Sequence, residues 1–167
     1  MDTPRLLVLT GNCGVGKTTI SNAWADARRG AAIHADDIHL WIRDRPLHRA
    51  RNYQEELKLA VTITAAERLL EQGLSVAVDN VWYPPMLHRL RDTFSVKAPV
   101  ACVRLTCARA INRARDMARP VGRMGARVDE LGNEMDTLDW PDWLMTIDTS
   151  AMSVDETLAT IDGRFLT

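Results

Sequence analysis

The sequence predicts an α/β fold: a five-stranded parallel sheet with helices on both faces and an arginine-rich segment closing over one end. Three observations carry that prediction. Strand and helix signals alternate along all 167 residues, the pattern that builds a parallel sheet between two helical layers. A glycine-rich run, Gly11-Asn12-Cys13-Gly14-Val15-Gly16-Lys17-Thr18, separates the first strand from the first helix. Two later strands run directly into aspartates, at Asp36-Asp37 and at Asp79.

The elements follow in order. Arg5 to Thr10 is an apolar, β-prone run and reads as a buried strand. The glycine-rich run after it matches G-x-x-x-x-G-K-T/S at every fixed position, and a helix starts at Thr18-Thr19. Ala31 to Ala35 is a short second strand, and Ile38 to Ile42 a short helix. Tyr53 to Gln72 carries apolar residues at helical spacing and stops at Gly73. Leu74 to Val78 is the third strand. Pro84-Pro85 opens a helix in the way prolines do in a first turn. Val100 to Leu105 is the fourth strand, with a helix from about Ala108. Trp143 to Ile147 is the fifth, and Val154 to Ile161 a closing helix. The whole chain, 1–167, reads as one domain, with a lid at about 115–130.

Composition bounds the function. Hydrophobic residues make up 46% and charged residues 26%, with a net charge of −1. That balance gives no hint of a nucleic-acid or membrane partner. No apolar run approaches the roughly 20 residues needed to cross a bilayer, and no signal-peptide pattern precedes the first strand. A cytoplasmic location is the expectation. The three cysteines, Cys13, Cys102 and Cys107, lack metal spacing and are expected reduced. A helix N-terminus beside Cys13 would lower its pKa and make it oxidisable. Charge is unevenly distributed. Arg104 to Arg127 holds seven arginines and one acid, whereas Val128 to Gly163 holds ten acids and no Lys or Arg.

The glycine-rich run is a phosphate cradle by its chemistry. Glycines let successive N–H groups turn inward, and the helix N-terminus behind them adds positive potential. The amides of Gly11, Asn12, Cys13, Gly14, Val15, Gly16, Lys17, Thr18 and Thr19 are therefore expected around a nucleotide's phosphates. Lys17 reaches the β- and γ-phosphates, and Thr18 is a Mg²⁺ ligand. In a parallel sheet, ligands bind beyond the carboxyl ends of the strands. Asp79, closing an apolar strand, fits a metal-organising carboxylate acting through water. Asp36 or Asp37 is placed to accept a proton from an acceptor hydroxyl, to hold Mg²⁺ through water, or to cap the next helix. Asn80, Trp82 and Tyr83 follow the third strand and either face the substrate, for which Asp36, Asp37, Asn80 and Trp82 are the candidates, or pack in the core. Arg109, Arg113, Arg115, Arg119, Arg123 and Arg127, interrupted by Pro120, Gly122 and Gly125, read as a mobile lid or as a solvated basic helix. Asp148-Thr149-Ser150 follow the fifth strand and are candidates to flank the adenine. A second basic run, Arg43, Arg45, His48, Arg49 and Arg51, follows the Asp36-Asp37 segment. The histidines show no metal spacing; His34 and His39 flank the aspartates.

With those residues in hand, the chain resembles the small P-loop kinases, a branch of the P-loop NTPase fold. It is most similar to the group containing chloramphenicol phosphotransferase, gluconate kinase, shikimate kinase and the polynucleotide 5′-kinase domain. The resemblance implies that Asp36 in Ala35-Asp36-Asp37 is the general base. It also implies that Arg119 and Arg123 are lid arginines at the γ-phosphate, with Arg113 near the adenine or the phosphates. The chain lacks the Asp-Gly-x-Pro of nucleotide monophosphate kinases, the glycine triplet of shikimate kinase and the His-Pro pair of gluconate kinase. The implied activity is ATP- and Mg²⁺-dependent phosphorylation of a small-molecule hydroxyl, with an antibiotic or other natural product favoured as acceptor. A nucleic-acid 5′-kinase and a nucleotide-dependent switch stand as alternatives. The guanine-selective Asn-Lys-x-Asp is absent, and the oligomeric state is not legible.

Overall fold

A computed structural model describes residues 3–43, 51–120 and 122–165. Five parallel strands lie in the order β2-β3-β1-β4-β5, with β1 Leu6–Gly11, β2 Ala31–His34, β3 Val76–Asp79, β4 Val100–Thr106 and β5 Met145–Asp148. The helices are α1 Lys17–Ala27, α2 Arg51–Glu71, α3 Pro84–Phe94, α4 Arg109–Met117, α5 Arg127–Asp136 and α6 Val154–Arg164. A 3-10 helix, Ala35–Trp41, follows β2.

β1 is the centre of the sheet, bonded to β3 on one side and β4 on the other, and all six of its residues are buried. Its side chains alternate between the two faces, as strand geometry requires. Leu6 and Val8 join Leu59, Leu87, Leu90 and Phe94 under α2 and α3. Leu7 and Leu9 join Ile20, Trp24 and Ile161 under α1 and α6. Ser153 and Glu156 form a reciprocal capping box that starts α6.

All five strands are shifted or resized by one or two residues against the sequence reading, β3 and β5 the most. β3 starts at Val76 instead of Leu74 and takes in Asp79, which pairs in register with Leu9 of β1 and His34 of β2. β5 starts at Met145. Asp36 and Asp37 lie inside the first turn of the 3-10 helix instead of before a later helix. The segment after β4 is two helices, and α5 was not anticipated as an element of its own. Of the second basic run, Arg45, His48 and Arg49 lie outside the described residues, as does the side chain of Arg51. Among the described residues no helix is long and apolar enough to cross a membrane.

Candidate active site

The phosphate loop occupies the turn from β1 to α1. Gly14 has φ +80°, and a Cβ there would lie 2.5 Å from Asn112 Oδ1 of α4. Gly16 is left-handed at φ +101° immediately before α1. Both positions need glycine, the first for close approach and the second for backbone conformation. Lys17 is buried and its Nζ donates to the carbonyls of Gly11 at 3.0 Å and Asn12 at 2.9 Å. Burial pushes its ammonium pKa down, while Cys13, Asp79 and Asp36 pull it back up. Added phosphate charge would favour the ammonium further. Cys13 goes the other way from expectation. Burial raises its pKa more than Lys17 lowers it, so the thiol is not activated.

Asp79, the last residue of β3, is 4% exposed. Thr18 Oγ1 donates to its Oδ1 at 3.3 Å, and His34 Nδ1 meets its Oδ2 at 2.6 Å. A hydroxyl and a carboxylate side by side at a phosphate cradle are the hard oxygen donors that suit Mg²⁺, with nucleotide phosphates filling the remaining positions. The Asp79 hydrogen bond is the largest of the influences that raise the His34 pKa, against burial, which lowers it.

A pocket of about 410 Å³ opens beside the loop, lined by Gly14 to Ile20, by Arg115 and Arg119, and by Thr149 and the start of α6. Thr149 holds this wall together. Its Oγ1 donates toward the Val15 carbonyl at 3.2 Å, and Arg115 donates to its hydroxyl at 3.1 Å and its carbonyl at 3.0 Å.

Helical phase sorts the lid residues. Arg109 and Arg113, one turn apart, face α5: Arg109 donates to Asp129 O, Asn133 and Asp136, and Arg113 Nε to the Asp129 carboxylate at 2.9 Å. Asn112 and Asp116 face inward and are buried. Arg115, two residues and about 200° from Arg113, faces the pocket. Arg113 is turned to Asp129 and is not among the residues lining this pocket, which Arg115 lines instead. Arg119 lines the pocket, and Arg123 is exposed, its Nε donating to Arg119 O. The split between basic and acidic segments now has a cause. Arg104, Arg109 and Arg113 meet Asp129 and Asp136 of α5, and Arg127 meets Glu130 and Glu134 within it, so the acids of α5 are paired both across to β4 and α4 and along the helix.

Asp116 folds the segment between the two lid helices. Its carboxylate accepts from Met124 N at 3.0 Å and Gly125 N at 3.0 Å. The Met124 amide first, then that of Gly125, hold its carboxyl pKa below the ordinary value. The lid also grips the phosphate loop: Asn12 Nδ2 donates to Val128 O at 2.8 Å, while Asn12 Oδ1 accepts from Cys13 N.

On the other side of the loop, Asp36 and Asp37 are exposed. Lys58 Nζ, itself buried, bonds Asp36 Oδ1 at 2.8 Å and lies 3.5 Å from Glu55 Oε1. Lys58 is the residue that sequence reading missed; a lysine four residues before Thr62 and eight before Ala66, on the buried face of α2, was the available signal. Glu55 in turn lines a second pocket, of about 480 Å³, with Tyr83, Met86, Arg89 and Glu134. Of the two alternatives for Trp82 the structure takes the core: its ring is fully buried under α2 and α3. Thr10 Oγ1 pins its carbonyl at 2.8 Å, which turns the chain inward after β3. Asn80 is 2% exposed, and its Nδ2 has no partner.

No family model matches the sequence. A protein of Mycobacterium tuberculosis (strain H37Rv) described as uncharacterized is 27% identical over 143 residues, and one of Mycobacterium bovis matches equally. The alignment covers 76% of this chain but only 27% of those proteins, so the chain spans about a quarter of their length. Among solved structures, a gluconokinase from Sinorhizobium meliloti superposes with TM-score 0.71 at 19% identity, covering 99% of this chain and 94% of that one. The Mycobacterium tuberculosis APS kinase, solved with AMPPNP and APS, gives TM-score 0.71 at 15% identity over all of both chains. A Deinococcus radiodurans tunicamycin resistance protein gives 0.66 at 14%, covering 96% and 95%. The sheet order, the phosphate loop and these superpositions together identify the fold of this chain as that of the small P-loop kinases.

Proposed function

We propose that this chain is an ATP- and Mg²⁺-dependent kinase that phosphorylates a hydroxyl of a small molecule. The observation that carries the reading is the pocket lined by the phosphate loop, Arg115 and Thr149, together with a second pocket lined by Glu55, whose neighbour Lys58 holds Asp36. In this reading the loop amides and Lys17 hold the β- and γ-phosphates. Arg115 and Thr149 form the nucleotide wall, and Arg119 meets charge developing on the transferred group, with Arg123 following if the lid closes further. Mg²⁺ held through Thr18 and, by water, Asp79 would neutralise charge on the phosphate oxygens.

Asp36 takes the acceptor's proton. Lys58 bonds its Oδ1, and in this reading Oδ2 of the largely exposed side chain takes the hydroxyl proton. The acceptor body lies toward Glu55, Tyr83, Met86 and Glu134, with Asp37 at its margin. The gluconokinase and the tunicamycin resistance protein among the structural neighbours support a sugar-like or natural-product acceptor.

An Asp36→Asn variant tests the assignment. It keeps an oxygen for Lys58 but cannot take a proton, so phosphoryl transfer should fall about 10²–10⁴-fold, the usual size of a general-base contribution. ADP release is measured against a panel of antibiotics, nucleosides, sugars and 5′-hydroxyl oligonucleotides. Transfer at the parent rate by Asp36→Asn removes Asp36 from the mechanism, and an oligonucleotide as the sole acceptor removes the small-molecule reading.

A further inference from the structure

His34 makes contacts that neither the phosphate cradle nor the proton transfer requires. It ends β2, one strand out from β3, and the parallel register sets it directly opposite Asp79. Its Nδ1 lies 2.6 Å from Asp79 Oδ2, and its Nε2 lies 3.0 Å from Asn22 Oδ1 on α1. The imidazole thus spans from α1 to the carboxylate at the metal position, with an oxygen facing each ring nitrogen.

Asp79 needs such a partner. A carboxylate turns easily about its last torsion, because sp³–sp² wells are broad and two-fold. One hydrogen bond, from Thr18 to Oδ1, leaves that rotation open. A second, from His34 to Oδ2, fixes the plane of the carboxylate. At 4% exposure Asp79 has little water to substitute for a lost donor, and a buried carboxylate missing a partner is costly. Partners that bond a metal-organising group usually work by holding that group's orientation.

We infer that His34 is the positioning residue for Asp79, holding its carboxylate at the angle at which it organises Mg²⁺ on the bound nucleotide. The inference rests on the Thr18 and Asp79 metal assignment above. His34 lines neither of the two pockets, so its effect belongs to metal affinity and not to nucleotide affinity as such.

The test is a titration of Mg²⁺, and of Mn²⁺ followed by electron paramagnetic resonance, into the protein complexed with AMPPNP. AMPPNP affinity in EDTA serves as the control for an intact fold. His34→Ala should weaken metal affinity about 10–100-fold, the range for such orienting partners, and leave AMPPNP affinity in EDTA unchanged. His34→Asn places an amide nitrogen where Nδ1 stood and should restore most of the loss. His34→Gln reaches toward Asn22 but not Asp79, and should behave as His34→Ala does; it replaces that variant should the alanine chain not fold. Wild-type metal affinity in both His34→Ala and His34→Gln overturns the inference, as does an Asn variant no better than Ala. A wild-type protein whose AMPPNP complex takes up no metal overturns the Thr18 and Asp79 assignment and the inference with it, leaving nucleotide binding and Asp36 to be judged by transfer.

Discussion

The two sides of the phosphate loop are built on different parts of the sheet. In the proposed reading the donor side grows from β1, the central strand, whose six residues are all buried. Lys17 and Asp79 are buried beside it, each held by bonds from separate elements. The acceptor side grows from β2, an edge strand that is half-buried along its length. Asp36 stands on a 3-10 helix with 61% of its side chain exposed, and Leu40 and Trp41 in the same helix are exposed too. Groups that every phosphoryl donor requires sit where packing fixes them from several directions. Groups that meet a particular acceptor sit where residues can change without repacking the core.

Two lysine substitutions test that division, and the donor side should give the larger effect. Lys17→Met removes the ammonium from the phosphates and should lower kcat/KM by about 10²–10³, the scale for losing one electrostatic stabiliser. Nucleotide affinity should fall with it. Lys58→Met removes the cation bonded to Asp36 and should lower kcat up to about 10²-fold, as a small misplacement of a reacting group does. Nucleotide affinity should stay unchanged. Calorimetry with ADP beside steady-state rates separates the two outcomes. A loss of ADP affinity in Lys58→Met would show that the two sides act as one unit.

The same contrast explains what the sequence made legible. Phosphate binding is encoded within eight consecutive residues, because backbone turns and a helix start are local events. Asp79 and Asp36 were legible from their places after strands. Lys58 was not, because its meeting with Asp36 depends on how α2 packs over β2 and β3. His34 was visible as a residue beside the aspartates, but its partner follows from strand register, and only the sheet sets that. The arginines divided by helical phase: Arg113 and Arg115 look equivalent in the chain yet lie on nearly opposite faces of α4. Trp82 could equally have faced a pocket or the core until Thr10 fixed the path of the chain after β3.

The lid offers a smaller and more local comparison. Arg115→Ala removes two hydrogen bonds to Thr149 and a guanidinium from the nucleotide wall. Nucleotide affinity should fall about tenfold, equivalent to the low end of a charged hydrogen bond, about 1.5 kcal/mol. Arg113→Ala breaks an exposed ion pair with Asp129. Such pairs contribute roughly 0–1 kcal/mol to stability, so nucleotide affinity should not change. ADP titrations of both variants decide the matter, and equal losses would return Arg113 to the nucleotide site.

The smallest effect should come from Asp116, and it should depend on pH. Its carboxyl pKa is lowered in the folded protein, by the Met124 amide first and then by Gly125. A carboxyl depressed on folding adds stability that is complete above its unfolded value, about 3.9, and that disappears as pH falls through the folded value. Asp116→Asn keeps one acceptor for those amides but cannot carry the charge. The gap in thermal midpoint between wild type and Asp116→Asn should therefore stay constant from neutral pH to about pH 5 and narrow below about pH 4. A gap that persists unchanged at lower pH would mean that shape, and not charge, lets Asp116 hold the turn between α4 and α5. The lid would then be fastened as the core is, by packing, and the charged fastening that sets it apart from the phosphate loop would be confined to Arg109, Arg113 and Arg127.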